Sequence, residues 1–255
     1  MKDGFIRVAA ATPDIHVADP QYNSEQIIEL MEQGSTRGVK VMAFPELCLT
    51  AYTCSDLFLQ ESLLREAKKE LKRILQASKS KDMILFVGMP WMHKGKLYNV
   101  AAVLNRGRIL GIVPKKHLPN YSEFYELRHF NPGMEKVEMT DWEGVQVPMG
   151  MNLLFACRTM PELVLAAELC EDVWVPCPPS ISHALAGATA IANCSASDET
   201  TGKDQYRYNL ICGQSARLVC GYIYANAGEG ESSQDLVFGG QNIIAENGTC
   251  LVQSD

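Results

Sequence analysis

The sequence of 255 residues contains no C-x-x-C pair, no H-x-x-x-H pair and no cluster of cysteine and histidine. Its five histidines are scattered, so a zinc site with the usual ligand spacing is not expected and no residue is assigned as a metal ligand. The nine cysteines are odd in number, and the N-terminus has no apolar secretory leader. These features predict reduced thiols in a cytoplasmic protein rather than a disulfide framework.

Positive charge and long apolar runs are also scarce. The chain has 23 lysines and arginines against 30 aspartates and glutamates, a formal net charge of -7. The densest basic run, Arg65–Arg73, is interrupted by Glu66 and Glu70, which is typical of a solvated helix face. The longest apolar stretch, Met83–Met92, contains glycine and proline and is too short to cross a membrane. We therefore expect neither a nucleic-acid surface nor a membrane anchor.

The composition that remains, 47% apolar and 21% charged, is that of a globular chain long enough for one large domain over residues 1–255. Strand-like and helix-like patterns alternate throughout, which predicts a layered α/β fold with several hairpins. The predicted helices start at Asn23, cover Leu57–Ser78, start at Ser180 or Ser182, and cover Gln205–Val219. The predicted strands are Phe5–Ala11, Val39–Phe44, Met83–Met89, Leu97–Leu104, Ile109–Val113, Val145–Val147, Asn152–Phe155, Val164–Leu169, Thr189–Asn193, Tyr222–Ala225, Asn242–Ala245 and Thr249–Val252.

Cys170 follows the apolar strand Val164–Leu169 and is followed at once by two acids, in the run L-C-E-D-V-W. A thiol at the end of a buried strand is held on rigid backbone, as a nucleophile must be. A cysteine in an apolar run can equally be a small core residue. The local pattern alone leaves both interpretations open.

Two further strand ends carry chemistry that suits a thiol nucleophile. Glu46 follows the predicted strand Val39–Phe44, and Lys115 follows Ile109–Val113. The carboxyl ends of strands in α/β sheets are where ligands gather. There, a cation can favour thiolate and stabilise an oxyanion, while a carboxylate can move a proton. Singly, each residue could be an ordinary surface acid or loop lysine, so spacing alone does not decide.

Longer motifs resemble a known family. F-P-E at 44–46, P-K-K-H-L-P-N-Y at 114–121 and L-C-E-D-V-W at 169–174 resemble the Glu-Lys-Cys signature of carbon–nitrogen hydrolases, the nitrilase superfamily. L-T-A-Y-T-C-S-D-L-F at 49–58, H-A-L-A-G-A at 183–188, N-C-S-A-S at 193–197 and the run at 222–238 resemble the glutaminase domain of glutamine-dependent NAD synthetases. The resemblance covers essentially the whole chain.

The resemblance implies a four-layer α-β-β-α sandwich and a thioester mechanism without a cofactor. It implies that Cys170 is the nucleophile, Glu46 the general base and Lys115 the oxyanion stabiliser, with Glu126 as a second, supporting glutamate. It also implies a substrate, L-glutamine, and a set of residues around it: Tyr52, Tyr121, Glu171 and Ser197, together with Trp174 and Lys203, whose correspondence is looser.

The family's synthetase half, with its S-G-G-x-D-S loop, has no counterpart in this sequence. ATP and magnesium are therefore expected only in that missing domain, which would accept the ammonia. We expect the chain to be a piece of a longer polypeptide, and we expect it to self-associate as a homo-oligomer, as the family does.

Two other functions stay open at this point. The chain could be a free-standing amidase or nitrilase that acts on another small carbon–nitrogen substrate. It could also be a catalytically silent scaffold, although the presence of Glu46, Lys115, Cys170 and Glu126 argues against that reading.

Overall fold

A computed structural model describes residues 4–254. The four helices are α1 Pro20–Thr36, α2 Glu61–Ser78, α3 Pro179–Leu185 and α4 Lys203–Leu218, and short 3-10 helices cover Tyr52–Leu59, Glu126–Arg128 and Cys170–Val173. The strands are β1 Val8–Ala10, β2 Val41–Ala43, β3 Ile84–His93, β4 Lys96–Asn105, β5 Arg108–Pro114, β6 Glu138–Trp142, β7 Val145–Met149, β8 Phe155–Ala156, β9 Val164–Leu169, β10 Ala190–Ser195, β11 Gly221–Asn226, β12 Ile243–Glu246 and β13 Thr249–Gln253.

The strands form two mixed sheets. The first has seven strands in the order β1-β2-β3-β4-β5-β7-β6, and the second has six in the order β13-β12-β11-β10-β9-β8. Parallel pairing joins β1, β2 and β3 in one sheet and β9, β10 and β11 in the other. The carboxyl ends of β2 and β9, after which Glu46 and Cys170 follow, therefore each lie at the end of a parallel set.

Three hydrophobic clusters show that the architecture has four layers. The middle cluster joins the facing sides of the two sheets, with Val41 and Ala43 from β2 packed among Leu165 and Ala167 from β9. A second cluster packs α1 and α2 on the outer side of the first sheet, and a third packs α4 on the outer side of the second. The side-chain alternation of strands makes this possible, since neighbouring residues point to opposite layers. The predicted α-β-β-α sandwich is confirmed.

Most element boundaries differ slightly from the predicted ones. The prediction that α1 starts at Asn23 is wrong, because the helix begins at Pro20. Asn23 does not cap this helix, because Pro20 already fixes the first helical residue and the Asp19 carboxylate accepts the N–H of Tyr22 at 3.1 Å. Asn23 is instead buried and bonded to the backbone of His16.

The predicted helix over Leu57–Ser78 starts later than expected, at Glu61. The preceding residues form a kinked 3-10 segment in which Ser55 has a φ of 50°. The sequence pattern does not predict strand β6, because the exposed face of this strand interrupts its apolar residues. Among the described residues, no helix combines the length and the apolar character that a bilayer crossing requires.

Candidate active site

Cys170 sits on a sharp elbow between β9 and the 3-10 helix that follows it. Its φ of 38° lies in the left-handed region, which a residue with a side chain adopts at a cost of about 1–3 kcal/mol. The backbone N–H of Cys170 donates to Oδ1 of Asn193 at 3.2 Å, which holds the elbow against β10. The sequence therefore places the thiol at a rigid, strained turn at the end of a buried strand.

Two carboxylates and an ammonium form a buried ion cluster. Nζ of Lys115 lies 2.6 Å from Oε1 of Glu46 and 2.6 Å from Oε1 of Glu126. The side chains of Lys115 and Glu46 have no exposed surface, and that of Glu126 is 4% exposed. Such a cluster is stable only because each charge has close partners.

The turn that carries Glu46 is held by both sheets. The N–H of Glu46 donates to the carbonyl of Ser195 at 3.2 Å, and Oε2 of Glu46 accepts the N–H of Ala196 at 3.1 Å. Gly88 lies beneath this turn, where a Cβ would approach the Pro45 carbonyl oxygen to 2.2 Å. Only glycine fits there, so Gly88 permits the close approach that brings Glu46 to the end of β10.

Asn99 is a site residue that the sequence interpretation missed. Its amide nitrogen donates to Oε1 of Glu46 at 2.6 Å and lies 3.5 Å from Oε2 of Glu126. Asn99 is completely buried in the middle of β4, between apolar neighbours. An asparagine at a core position of a strand was the available signal, because buried polar groups need partners.

The charges of this cluster act on the thiol in opposite directions. Burial raises the pKa of the Cys170 thiol far above its ordinary value, and the charge of Glu46 raises it further, while Lys115 lowers it. Burial lowers the pKa of Lys115, but the carboxylates of Glu126 and Glu46 outweigh that effect and keep the ammonium charged. Burial also raises the pKa of Glu126, against the opposing effect of Lys115. Burial and the charge of Glu46 thus favour the protonated thiol, whereas the ammonium of Lys115 favours the thiolate.

Asp172 joins the two chain segments that carry Cys170 and Lys115. One carboxylate oxygen accepts the N–H of Leu169 at 3.1 Å and of Lys116 at 3.3 Å, and the other accepts the N–H of His117 at 2.8 Å. Asp172 is buried, and burial raises its pKa to about 7. The Asp172 side chain therefore holds the turn at Cys170 against the two residues that follow Lys115.

Five of the six predicted substrate-binding residues are connected in one group beside the thiol. The hydroxyl of Tyr121 donates to Oε2 of Glu171 at 3.1 Å. Nζ of Lys203 lies 5.5 Å from the ring centre of Trp174 and forms an ion pair with Asp198. Asp198 adjoins the buried Ser197 in the chain, and its carbonyl accepts a hydrogen bond from Arg207. The group offers carboxylate, ammonium and hydroxyl to a ligand.

Phe124 is a further member of this group that the sequence interpretation did not name, and it contacts both Lys203 and Tyr121. Its ring centre lies 5.9 Å from Nζ of Lys203 and 5.7 Å from the ring of Tyr121. Tyr52, the sixth predicted residue, lies on the other side, where its hydroxyl donates to Oε1 of Glu126 at 2.9 Å. Tyr52 is therefore attached to the ion cluster rather than to the Tyr121–Lys203 group.

A thiol, a carboxylate and an ammonium that follow strands of two facing sheets are the groups that hydrolysis of an amide through a thioester requires. Within residues 4–254, no group of three or more His, Cys, Asp and Glu side chains is arranged to hold a metal ion. The fold and the site thus place the chain in a class of proteins, α/β sandwiches with a thiol site that is suited to acyl transfer.

The sequence profile described as carbon–nitrogen hydrolase matches residues 7–255. The chain therefore belongs to the carbon–nitrogen hydrolase family. It is 42% identical over 252 residues to the glutamine-dependent NAD(+) synthetase of Mycobacterium bovis, covering 99% of this chain and 37% of that protein. It is 31% identical over 240 residues to the protein of the same name from Aquifex aeolicus, covering 94% and 38%. The chain spans little more than a third of the length of these relatives.

Solved structures agree with the fold. A glutamine-dependent NAD(+) synthetase from Cytophaga hutchinsonii superposes with a TM-score of 0.88 at 28% identity, covering 98% of this chain and 40% of that one. An amidase from Nesterenkonia sp. superposes with a TM-score of 0.77 at 20% identity, covering 100% of this chain and 88% of that one. The resemblance to the amidase concerns the fold alone, whereas that to the synthetases extends along the sequence as well.

Proposed function

We propose that this chain hydrolyses the side-chain amide of L-glutamine through a thioester at Cys170 and releases ammonia to a synthetase domain that amidates deamido-NAD to NAD. The observation that carries the proposal is the buried ion cluster, in which Lys115 bridges Glu46 and Glu126 beside the strained elbow of Cys170. The names of its relatives at 31–42% identity support glutamine as the substrate.

The first half of the reaction forms the thioester. Glu46 takes the proton of the Cys170 thiol as the sulfur attacks the amide carbon of the substrate, so that thiolate forms only as the bond is made. The oxyanion that develops is stabilised by the ammonium of Lys115. The tetrahedral adduct then collapses, and the proton held on Glu46 passes to the leaving nitrogen as ammonia departs.

The second half of the reaction uses the same groups. Water enters where ammonia has left, and Glu46 takes its proton as the oxygen attacks the thioester carbon. The carbon–sulfur bond breaks, glutamate is released, and the sulfur regains a proton. Glu126 contributes by holding Lys115 in place, since it accepts one of the ammonium's hydrogen bonds at 2.6 Å.

Selection of glutamine over simpler amides is assigned to the group beside the thiol. The α-ammonium of the substrate is a suitable partner for the Glu171 carboxylate, which Tyr121 already holds by a hydrogen bond. The α-carboxylate is suited to Lys203 and to the hydroxyl of Ser197, and the ring of Trp174 covers the aliphatic stem. In this assignment, Tyr52 acts on the amide end of the substrate indirectly, through its hydrogen bond to Glu126.

ATP and magnesium belong to the synthetase domain and have no role in the glutamine site. The domain works in the cytoplasm, where the reducing environment suits its free thiols. It also self-associates. Light scattering of the purified chain at high concentration tests the last point, and a monomer throughout would contradict it.

Release of ammonia from glutamine by the purified chain tests the central proposal. We expect hydrolysis of glutamine, no comparable hydrolysis in a panel of simple amides and nitriles, and loss of activity in Cys170→Ala with the fold retained by circular dichroism. Cys177→Ala, at an exposed cysteine, is the matched control and keeps activity. Activity on the panel but not on glutamine would support the free-standing amidase or nitrilase instead. Near-native activity of Cys170→Ala would remove the assignment of the nucleophile.

A further inference from the structure

Glu231 is a half-buried glutamate that lies far from the site in sequence and has no role in the proposed reaction. It belongs to the loop between β11 and β12. Its Oε1 accepts the N–H of Tyr52 at 2.7 Å, and its Oε2 accepts the N–H of Thr53 at 2.9 Å and the Thr53 hydroxyl. The N–H of Ser232 returns a hydrogen bond to that hydroxyl at 2.8 Å.

These bonds hold the start of a 3-10 helix at a strained point. The first N–H groups of any helix lack partners within it, and here a carboxylate from a distant loop supplies them. The preceding residue, Ala51, has φ 79° and ψ 151°, a combination that residues with side chains rarely adopt. Without the carboxylate, nothing among these contacts would compensate that strain, and the Tyr52 backbone would be free to relax.

The position of Tyr52 matters because its side chain reaches the ion cluster. Its hydroxyl donates to the same oxygen of Glu126, Oε1, that accepts the bond from Lys115. We propose that Glu231 is a positioning residue, which fixes Tyr52 and through it keeps the carboxylate of Glu126 aligned with Lys115. The contact chain runs from the β11–β12 loop to the catalytic ammonium in three hydrogen-bonded steps.

A shift in pH dependence distinguishes this role from a merely structural one. The titratable groups that face Glu126 are Lys115, Glu46, Tyr52 and, beyond them, Cys170. Burial raises the pKa of Glu126, whereas the hydrogen bond from Tyr52 lowers it. Loss of that bond therefore raises the pKa, so Glu126 becomes protonated at a higher pH. The acidic limb of the activity profile then moves upward.

The experiment compares Glu231→Gln, Tyr52→Phe and the double variant, with Glu229→Gln as control at an exposed glutamate in the same loop. We expect both single variants to move the acidic limb of kcat/KM for glutamine upward by about 1 pH unit, the size of one charge-assisted hydrogen bond. The double variant moves it no further, because both changes remove the same bond. Glu229→Gln leaves it in place. A limb that stays fixed, or shifts that add, would overturn the inference.

The activity readout rests on the proposed function, so a second readout is independent of it. The rate at which iodoacetamide alkylates Cys170, followed by mass spectrometry, carries an inflection at the pKa of Glu126, because the charge of Glu126 acts on the thiol. In Glu231→Gln and Tyr52→Phe, this inflection moves to higher pH together with the acidic limb of activity. It moves in the same way even if glutamine is not the substrate. Should Glu231→Gln fail to fold, Thr53→Val removes only the hydroxyl link and gives a smaller shift in the same direction. An unshifted Thr53→Val would then contradict the inference.

Discussion

Nζ of Lys115 lies 2.6 Å from Oε1 of Glu46, and neither side chain has any exposed surface. Burial of an ion pair is costly unless further hydrogen bonds satisfy both partners. Here the second oxygen of Glu46 accepts the N–H of Ala196, and Lys115 donates to a second carboxylate. The pair is therefore arranged for a fixed electric field at Cys170 rather than for stability, and its disruption should affect chemistry first.

Replacement of the two adjacent lysines separates catalytic from structural charge. Lys115 is completely buried in the ion cluster, whereas Lys116 is partly exposed and uses its backbone N–H to contact Asp172. We expect Lys115→Met to cost about 3 kcal/mol or more of transition-state stabilisation, as for loss of an oxyanion donor. It also slows alkylation of Cys170 by a glutamine analogue, because Lys115 lowers the pKa of that thiol.

Lys116→Met is the matched control and keeps both rates. Circular dichroism and thermal melts accompany the pair, since Lys115→Met leaves two buried carboxylates without their cation. If Lys116→Met lost activity and Lys115→Met kept it, the assignment of Lys115 as oxyanion stabiliser would be wrong.

Asn99 is expected to contribute to catalysis through Glu46. It donates to Oε1 of Glu46 at 2.6 Å, and a hydrogen bond to a charged group is worth about 1.5–3 kcal/mol. Asn99→Ala should therefore reduce kcat for glutamine by about 10- to 100-fold while leaving KM nearly unchanged. Asn105→Ala, at the C-terminal end of the same strand, serves as control. An effect confined to KM would show that Asn99 contacts substrate instead.

Those parts of the fold that rest on periodicity could be predicted from the sequence. The strand Val164–Leu169 has the predicted bounds because its apolar run ends sharply at Cys170. The helix α1 was placed too late, because a side-chain cap at Asn23 competes in sequence with proline and aspartate just before it. Only the fold shows that Asn23 is buried.

The residues of the site likewise include some that could be predicted from the sequence and some that could not. Glu46, Lys115 and Cys170 could be singled out because each follows a predicted strand, but only the resemblance of the motifs around them to a known family assigned their roles. The partners of Asn99 and Glu231 could not be predicted, because they lie 53 and 179 residues away. The position of Asn99 in an apolar strand indicates a buried polar group but does not show which residue it contacts. Such contacts become recognisable only when the sheets bring distant segments together.

Asp172 should control the geometry of the site rather than the reaction itself. Its carboxylate accepts three backbone N–H groups, from the elbow of Cys170 and from the segment after Lys115. Asp172→Asn replaces one acceptor oxygen by a donor that faces these N–H groups, at a cost of about 1–3 kcal/mol in unfolding free energy. We expect both glutamine hydrolysis and Cys170 alkylation to slow, as the elbow and the ammonium lose their common support.

The exposed Asp14→Asn provides the control for stability and rate, because Asp14 lies on the surface. Chemical denaturation measures the change in unfolding free energy. Loss of stability without any change in alkylation rate would show that Asp172 supports the fold but not the alignment of the site.

Cys170 is expected to carry its proton in the free protein at neutral pH. Burial, followed by the charge of Glu46, raises the pKa of this thiol, and Lys115 offsets only part of that effect. An acid with a raised pKa keeps its proton to higher pH, so the thiolate fraction is small at neutral pH and continues to grow in base. Alkylation of Cys170 by iodoacetamide should therefore accelerate beyond pH 9, where a free thiol of ordinary pKa, about 8.5, is already levelling off. Glutathione in the same reaction gives the reference curve. A plateau for Cys170 below pH 8 would mean that a preformed thiolate attacks the substrate, and Glu46 would then not be the group that deprotonates the thiol during the attack.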